Sequence, residues 1–272
     1  MDRLSTLLTH FGVNAGTFHS GAFCGITAFD GSQTVGHMHL LQAGEVHLKL
    51  ADDQELHITE PTLIFFPRPY RHRMSAKEGS GAQLVCASVE FNGGSGNALA
   101  TALPDYLILK LDEIPTLSST LEWLFDEAFD GNCGREAVMD RLFELLVILL
   151  LRHILSSGDQ PPGMMAGLAD ARLARPLNLM HSEPAIAWSL AELSAAANMS
   201  RASFADHFKR IVGQSPFDYL VSWRVSLAQK LLREGKPIAV IAEKVGYESP
   251  SALARAFRRK TGISPREWRD ES

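Results

Sequence analysis

Between about Gly21 and Phe91 the apolar residues fall in short β-rich runs separated by Gly, Asp or Pro: "HMHLLQAG", "EVHLKLADDQELHIT", "TLIFFPRP" and "AQLVCASVEF". Runs of this length, bounded by turn residues, predict strands, and "LADDQEL" predicts a hairpin centred on Asp52–Asp53. Their even spacing predicts a small barrel or sandwich. After "FNGGSGN" (Phe91–Asn97) the apolar spacing turns helical. Helices are expected over Leu117–Asp130 and over "REAVMDRLFELLVILLLRHIL" (Arg135–Leu155). The second has an apolar stripe too wide for a solvated helix, so it either packs between two layers or carries a dimer interface. "SSGDQPPGMMAG" (Ser156–Gly167) reads as an interdomain linker, and everything after it reads helical.

The helical end contains a repeat. "MSRASFADHFKRIVGQSP" (Met199–Pro216) is followed 49 residues later by "ESPSALARAFRRKTGISP" (Glu248–Pro265). Ser200 and Ser249 are N-cap residues, with Pro250 at the first helical position, where no amide partner is lost. Phe204 and Phe208 match Leu253 and Phe257 as inward positions one turn apart, and both helices stop at Gly, Gly213 and Gly262. The preceding helices, "LSAAANM" and "IAEKVGY", align at an offset of 48, so the second copy has a turn one residue longer. Helix, short turn, helix, written twice around a long helix (Pro216–Arg233), is the layout of a double helix-turn-helix DNA reader. The outward positions are Arg201, Ala202, Ala205, Asp206 and Lys209 in the first copy, and Ser251, Ala254, Arg255 and Arg258 in the second. Small residues let a helix enter a groove, and Arg pairs with guanine edges or phosphates. Ala202 and Ala205 offer no hydrogen bond and Asp206 repels phosphate, so the second copy is the stronger reader.

Charge agrees. From Arg172 onward there are 16 Lys and Arg against 10 Asp and Glu, a net of +6; residues 1–171 hold the other 10 and 21, a net of −11. A basic tail on an acidic front suggests a nucleic-acid partner for the tail alone. No apolar run reaches the ~18 residues of a membrane span, and "MDRLSTLLTHFG" lacks a signal-peptide layout, so a cytoplasmic protein without a membrane partner is expected. Cys24, Cys86 and Cys133 form no CxxC pair and no secreted disulfide framework.

Residues ~170–270 resemble the DNA-binding domain of AraC-type transcriptional regulators, through "SLAELSAAANMSRASFADHFKRIVGQSPFDYL", "WRVSLAQKLLREG" and "IAVIAEKVGYESPSALARAFRRKTGISPREWR". The resemblance implies two helix-turn-helix units reading successive major-groove segments of double-stranded DNA, in an activator that forms a homodimer and works with RNA polymerase. The front half is similar to the cupin-type sensor of the same regulators: "HLLQAG" from His39, "FFPRPYRHRM" through His72, "LVCASVEF" around Cys86 and "LPDYLIL" fit it, and Cys24 resembles the branch that answers reactive chlorine and related oxidants. The expected architecture is therefore α+β with two domains: a cupin-like β-barrel sensor over 1–112, a helical dimerisation segment over 113–156, a linker over 157–169 and an all-α double helix-turn-helix domain over 170–272.

Three chemistries are open for the sensor. Cys24, His39, His72 and Cys86 come from four β segments that a small barrel can bring together, and two thiolates with two imidazoles suit tetrahedral zinc. Without metal, Cys24 and Cys86 are a candidate redox pair. Alternatively the barrel binds an organic molecule. A metal-dependent cupin enzyme fused to a DNA-binding domain would instead use iron held by His37, His39, Glu45 and His72, though the spacing from His39 to Glu45 is one or two residues long for that motif. Cys133, in "DGNCGRE", is expected to be exposed and incidental.

Overall fold

The computed structural model describes residues 2–31, 34–94, 96–158 and 160–271. They form two compact units. One comprises residues 13–94 and 103–153; the other comprises 2–12, 96–102 and 154–271.

The first unit is a sandwich of antiparallel sheets. Its strands are β1 (Val13–Ala22), β2 (Gly25–Phe29), β3 (Gly36–Ala43), β4 (Val46–Lys49), β5 (Glu55–Ile58), β6 (Thr62–Phe66), β7 (His72–Ala76), β8 (Gln83–Phe91) and β9 (Leu107–Lys110). One sheet runs β1-β8-β3-β6-β9 and the other β2-β7-β4-β5. The expected hairpin is present: β4 pairs with β5, Leu50 and Gln54 close the turn, and Asp53 takes a positive φ of 64°. Strand β3 is buried over six successive residues because a sheet partner lies on each side and the opposite sheet covers its face. Val46, Leu48, Ile64, Phe66, Met74 and Leu84 fill the space between the sheets. β2 is an edge strand with most of its residues exposed, Ile26 among them.

Two helices complete this unit, α3 (Ser118–Phe129) and the greater part of α4 (Arg135–Ser157). The wide stripe of α4 is explained by packing inside the chain: Met139, Leu142, Phe143, Leu146, Val147, Leu150 and Leu151 are all buried. What remains is a narrow seam of Arg141, Leu145, Ile148, Leu149 and Arg152.

The second unit is helical. α1 (Ser5–His10) and α2 (Ala98–Thr101) join α5 (Met164–Ala169), α6 (Ala174–Ser182), α7 (Leu190–Ala196), α8 (Arg201–Val212), α9 (Pro216–Arg233), α10 (Ile238–Lys244), α11 (Pro250–Thr261) and α12 (Pro265–Glu271). Two boundaries read from the sequence change. Residues 2–12 belong here and not with the sheets, because Leu4, Leu7 and Phe11 bury themselves in this unit and Phe11 sets its ring edge-on to Trp223, 5.4 Å between centroids. The linker expected over 157–169, whose Asp159 lies outside the described residues, is shorter: α5 buries Met164, Met165 and Leu168. A Cβ on Gly167 would stand 2.6 Å from Leu177 and 2.8 Å from Val212, so this helix needs glycine to approach them.

Candidate nucleic-acid interface and barrel cavity

The repeat folds as its capping residues dictate. The Ser200 hydroxyl accepts from the Ser203 amide and the Ser249 hydroxyl from the Ala252 amide, each satisfying one orphan N–H of its helix. Gly213 and Gly262 end α8 and α11 with φ of 83° and 86°, a conformation that favours glycine. The turn between α7 and α8 covers 197–200 and that between α10 and α11 covers 245–249, one residue longer. Phe204 and Phe208 are fully buried, as are Leu253 and Phe257. That burial turns Arg201, Ala202, Asp206 and Lys209 of α8 outward, with Ala205 half-buried. On α11 it turns out Ser251, Arg255 and Arg258, with Ala254 half-buried. Arg201, Lys209, Arg255 and Arg258 form no salt bridge among the described residues, so their charge is available to a polyanion.

The two copies are held together through α9. The Arg224 guanidinium donates from Nε to the Pro184 carbonyl (2.7 Å), from Nη2 to that of Ile186 (3.0 Å) and from Nη1 to that of Gly246 (3.2 Å), and lies over the Tyr247 ring at 5.5 Å. Pro184 and Ile186 precede the first helix-turn-helix, and Gly246 lies in the turn of the second. Gly246 has φ 82°, and a Cβ there would meet Ala185 Cα at 2.6 Å. One side chain thus ties both copies to the helix between them.

In the β unit the predicted sensor residues separate into two groups. His37, His39 and His72 come together: all three are buried, with ring centroids 5.2 to 6.0 Å apart. His72 is sandwiched between Phe29 (4.4 Å) and Phe66 (3.9 Å). Its Nδ1 lies 2.8 Å from the Tyr70 carbonyl, which can only accept, so Nδ1 carries the proton. Burial holds the pKa of His72 and of His37 down to about 4 and pushes that of His39 well below its ordinary value, so all three are neutral near pH 7. The bare Nε2 of His72 then accepts from Nε2–H of His39 at 3.0 Å. This fixes the last tautomer: Nδ1 of His39 is a bare acceptor, buried, with no partner among the described residues. Such an unmet acceptor costs about 1–3 kcal/mol.

Cys24 and Glu45 do not join this cluster. Glu45 is held by His57 at 2.9 Å, which removes the carboxylate an iron enzyme's ligand set would need. Cys24 is exposed and Cys86 buried. The amide of Phe23, next to Cys24, bonds the Ala82 carbonyl, and Cys86 stands four residues farther along β8, about 13 Å of extended strand. A disulfide needs Cα atoms within about 7 Å. Burial also pushes the Cys86 thiol up, far from a reactive thiolate. Among the described residues no group of three or more His, Cys, Asp or Glu is arranged to hold a metal ion. The four residues Cys24, His39, His72 and Cys86 therefore do not fit tetrahedral zinc. Cys133 is exposed, as expected.

A residue the sequence reading passed over completes the picture. His19 on β1 pairs across to Cys86 on β8, which pairs across to His39 on β3, so the three form one row across the sheet. This row floors a cavity of about 170 Å³, walled by Phe18, Phe23, Phe29, Met74 and Leu84, with Thr27 at its edge. Nε2 of His19 is likewise buried without a partner among the described residues. Phe18 is the extra residue of a bulge in β1. On either side of it, the Thr17 amide and hydroxyl both donate to Asp140 of α4 (2.8 and 2.9 Å), and Arg135 of α4 bonds the Ser20 hydroxyl. The cavity wall and the long helix are thus directly connected.

Comparison with known proteins matches both halves. A cupin family model covers residues 2–156 and a helix-turn-helix domain model residues 193–271. An AraC-like transcription regulator of Streptomyces antibioticus is 31% identical, spanning 98% of this chain and 97% of its own. The RCS-specific transcriptional activator RclR of Escherichia coli is 27% identical over 88% of this chain and 86% of its own. Among solved structures, the DNA-binding domain of AdpA in complex with a target DNA is 30% identical, covering 38% of this chain and 92% of that one, with a TM-score of 0.35. Among the described residues no helix is long and apolar enough to cross a membrane.

Proposed function

The chain belongs to the AraC-type transcriptional regulators that carry a cupin domain, and on that premise we propose that it is a non-catalytic, sequence-specific regulator whose β unit responds to a small organic molecule held in the cavity beside His39. One observation supports the choice of signal: the β unit has an apolar cavity of about 170 Å³ walled by Phe18, Phe23, Phe29, Met74 and Leu84, while of the two cysteines of the rival redox reading Cys24 is exposed and Cys86 is buried with its thiol pKa pushed up. The α11 face of Ser251, Ala254, Arg255 and Arg258 supplies the main base and phosphate contacts, and the α8 face of Arg201, Ala202, Ala205, Asp206 and Lys209 the weaker ones. The exposed seam of α4 and the exposed Trp123 on α3 support a homodimer, in which two chains read two half-sites and present an activating surface to RNA polymerase.

The likeness to an RCS-specific activator favours the oxidant reading as the alternative. A double variant, Cys24→Ser with Cys86→Ser, separates the two. Operator fragments are first selected from genomic DNA with the full chain. Operator affinity is then measured with hypochlorite and with small aromatic compounds. The ligand reading expects the organic response to persist in the variant; a hypochlorite response that is present in the native protein and absent from the variant would establish the oxidant reading instead.

A further inference from the structure

The repeat offers a comparison within one chain. At an offset of 49, the reading helices align Ala202 with Ser251, Ala205 with Ala254, Asp206 with Arg255, Lys209 with Arg258 and Arg210 with Arg259. A position that reads bases should change between copies, because the two copies meet different base pairs. A position that meets phosphate should not, because the backbone is the same everywhere. Asp206 and Arg255 are opposite in charge, whereas the last two positions are basic in both copies. Lys209 and Arg258 belong to the outward faces described above. Arg210 and Arg259 each stand one residue further on, a rotation of about 100° off that face. An α-helix about 10–12 Å across fills a major groove about 12 Å wide. A side chain turned that far from the groove floor faces its wall, which is phosphate.

Both arginines are exposed, and neither forms a salt bridge among the described residues. Arg210 is also held in place. A guanidinium can only donate, so Nη2 of Arg210 donates to Nδ1 of His207 at 2.8 Å, and the His207 proton sits on Nε2. Nε2 donates in turn to Asp170 at 2.9 Å. Asp170 is itself fixed just before α6, where its Oδ1 accepts from the amides of Arg172 and Leu173. The second copy has Ala256 in place of His207, so the relay belongs to the first copy alone. That copy has the central face poorest in base contacts, Ala202, Ala205 and Asp206.

We propose that Arg210 and Arg259 are a matched pair of phosphate contacts, one on the flank of each reading helix, and that His207 and Asp170 are positioning residues for the first. The inference rests on the DNA-reading role given above and goes beyond the residues assigned to it.

The test uses the full chain, the operator selected as above and an unrelated duplex, each titrated by fluorescence anisotropy at several salt concentrations. Arg210→Ala and Arg259→Ala should each weaken binding to both duplexes by the same factor, and make the slope of log affinity against log salt shallower by about 0.9. Arg210→Lys should keep the native slope, since a point charge serves a phosphate. His207→Phe should weaken binding in the native background and add nothing in the Arg210→Ala background, an outcome that a purely structural role would not give. A native slope in both alanine variants, or a loss confined to the operator, would overturn the phosphate contacts, and this holds even where the His207 variant fails to fold. Equal losses from His207→Phe in both backgrounds would overturn the relay. Failure of the reading role itself looks different: Arg255→Ala and Arg258→Ala then bind the operator as tightly as the native chain, whereas failure of this inference alone leaves those two variants weakened.

Discussion

Replacing Arg224 with Ala tests whether one side chain sets the geometry of DNA reading. The native guanidinium makes three hydrogen bonds to carbonyls at 2.7, 3.0 and 3.2 Å. Hydrogen bonds from a charged group contribute about 1.5–3 kcal/mol when buried. Arg224 is half-buried, and its bond to Ile186 is exposed, so solvent screening reduces that contact to a few tenths. Counting about 1 kcal/mol for each of the other two, the helical unit should lose about 2–3 kcal/mol. Arg224→Lys should recover less than half, because an ammonium cannot fork to three fixed acceptors. The larger consequence is for binding. Two reading helices reach one face of the duplex only if they stand about one helical turn, ~34 Å, apart. With the clamp removed, the Pro184–Ile186 loop and the Gly246 turn are freed from α9, and part of the binding energy goes into restoring that spacing. Urea unfolding measures the first effect. Fluorescence anisotropy on a full operator, and on a fragment carrying only the segment read by α11, measures the second. The full operator should lose roughly tenfold in affinity while the short fragment loses little. Equal losses on both fragments, or a stability change under about 0.5 kcal/mol, would refute the reasoning.

Three further outcomes are expected. Arg255→Ala and Arg258→Ala should each weaken operator binding, by about 1–3 kcal/mol with relaxed preference at one base where the contact is to a base edge, and uniformly with a shallower salt slope where it is to phosphate; affinities equal to wild type in both would show that α11 does not read DNA with this face. Leu145→Glu should convert the dimer to a monomer in sedimentation at tens of micromolar, about the concentration at which such runs are made, with unfolding of the β unit little changed because Leu145 is exposed; a persistent dimer would move the interface elsewhere. The β unit should lose stability on acidification: His37 and His72 have native pKa values of about 4 against 6.5 unfolded, so stability is full above pH 6.5 and falls between 6.5 and 4 as only the unfolded chain takes up protons, by at most about 1.4 kcal/mol per pH unit for each group. His37→Asn should flatten that slope, and an unchanged Tm of the native protein between pH 7 and pH 5 would contradict the assignment.

The sequence was most legible where local rules suffice. Serine caps, glycine stops and a repeated Phe spacing placed α8, α9 and α11 within a residue or two, down to the extra residue in the second turn. It was least legible at β1. "VNAGTFHSGA" contains two glycines, little β-branched residue content and no strict alternation, and it becomes a strand because β8 supplies its partner. Missing β1 hid His19, and with it the row that floors the cavity. Cys86 lies on a strand, as expected, but Cys24 lies between β1 and β2, and strand register, which no spacing in the chain reveals, decides what Cys86 meets. His39 and His72 do meet, across the gap between the two sheets, and their shared hydrogen bond follows from packing between sheets rather than from any motif.

The placement of residues 2–12 bears on how such proteins are assembled in evolution and in the laboratory. Dividing the chain between α4 and α5, near residue 160, would treat sensor and reader as separate cassettes. Here Leu4, Leu7 and Phe11, far from the rest of the reader in sequence, are buried in its unit, and the Phe11 ring stands edge-on to Trp223. A cassette cut at residue 160 would carry away the reader with an uncovered tryptophan, and leave on the sensor a short apolar tail with nothing to bind. A chimera that grafts a foreign sensor onto this reader should therefore bring the first dozen residues with the reader, by circular permutation or as an added peptide, so that recombination boundaries for this chain follow its packing rather than its gene order.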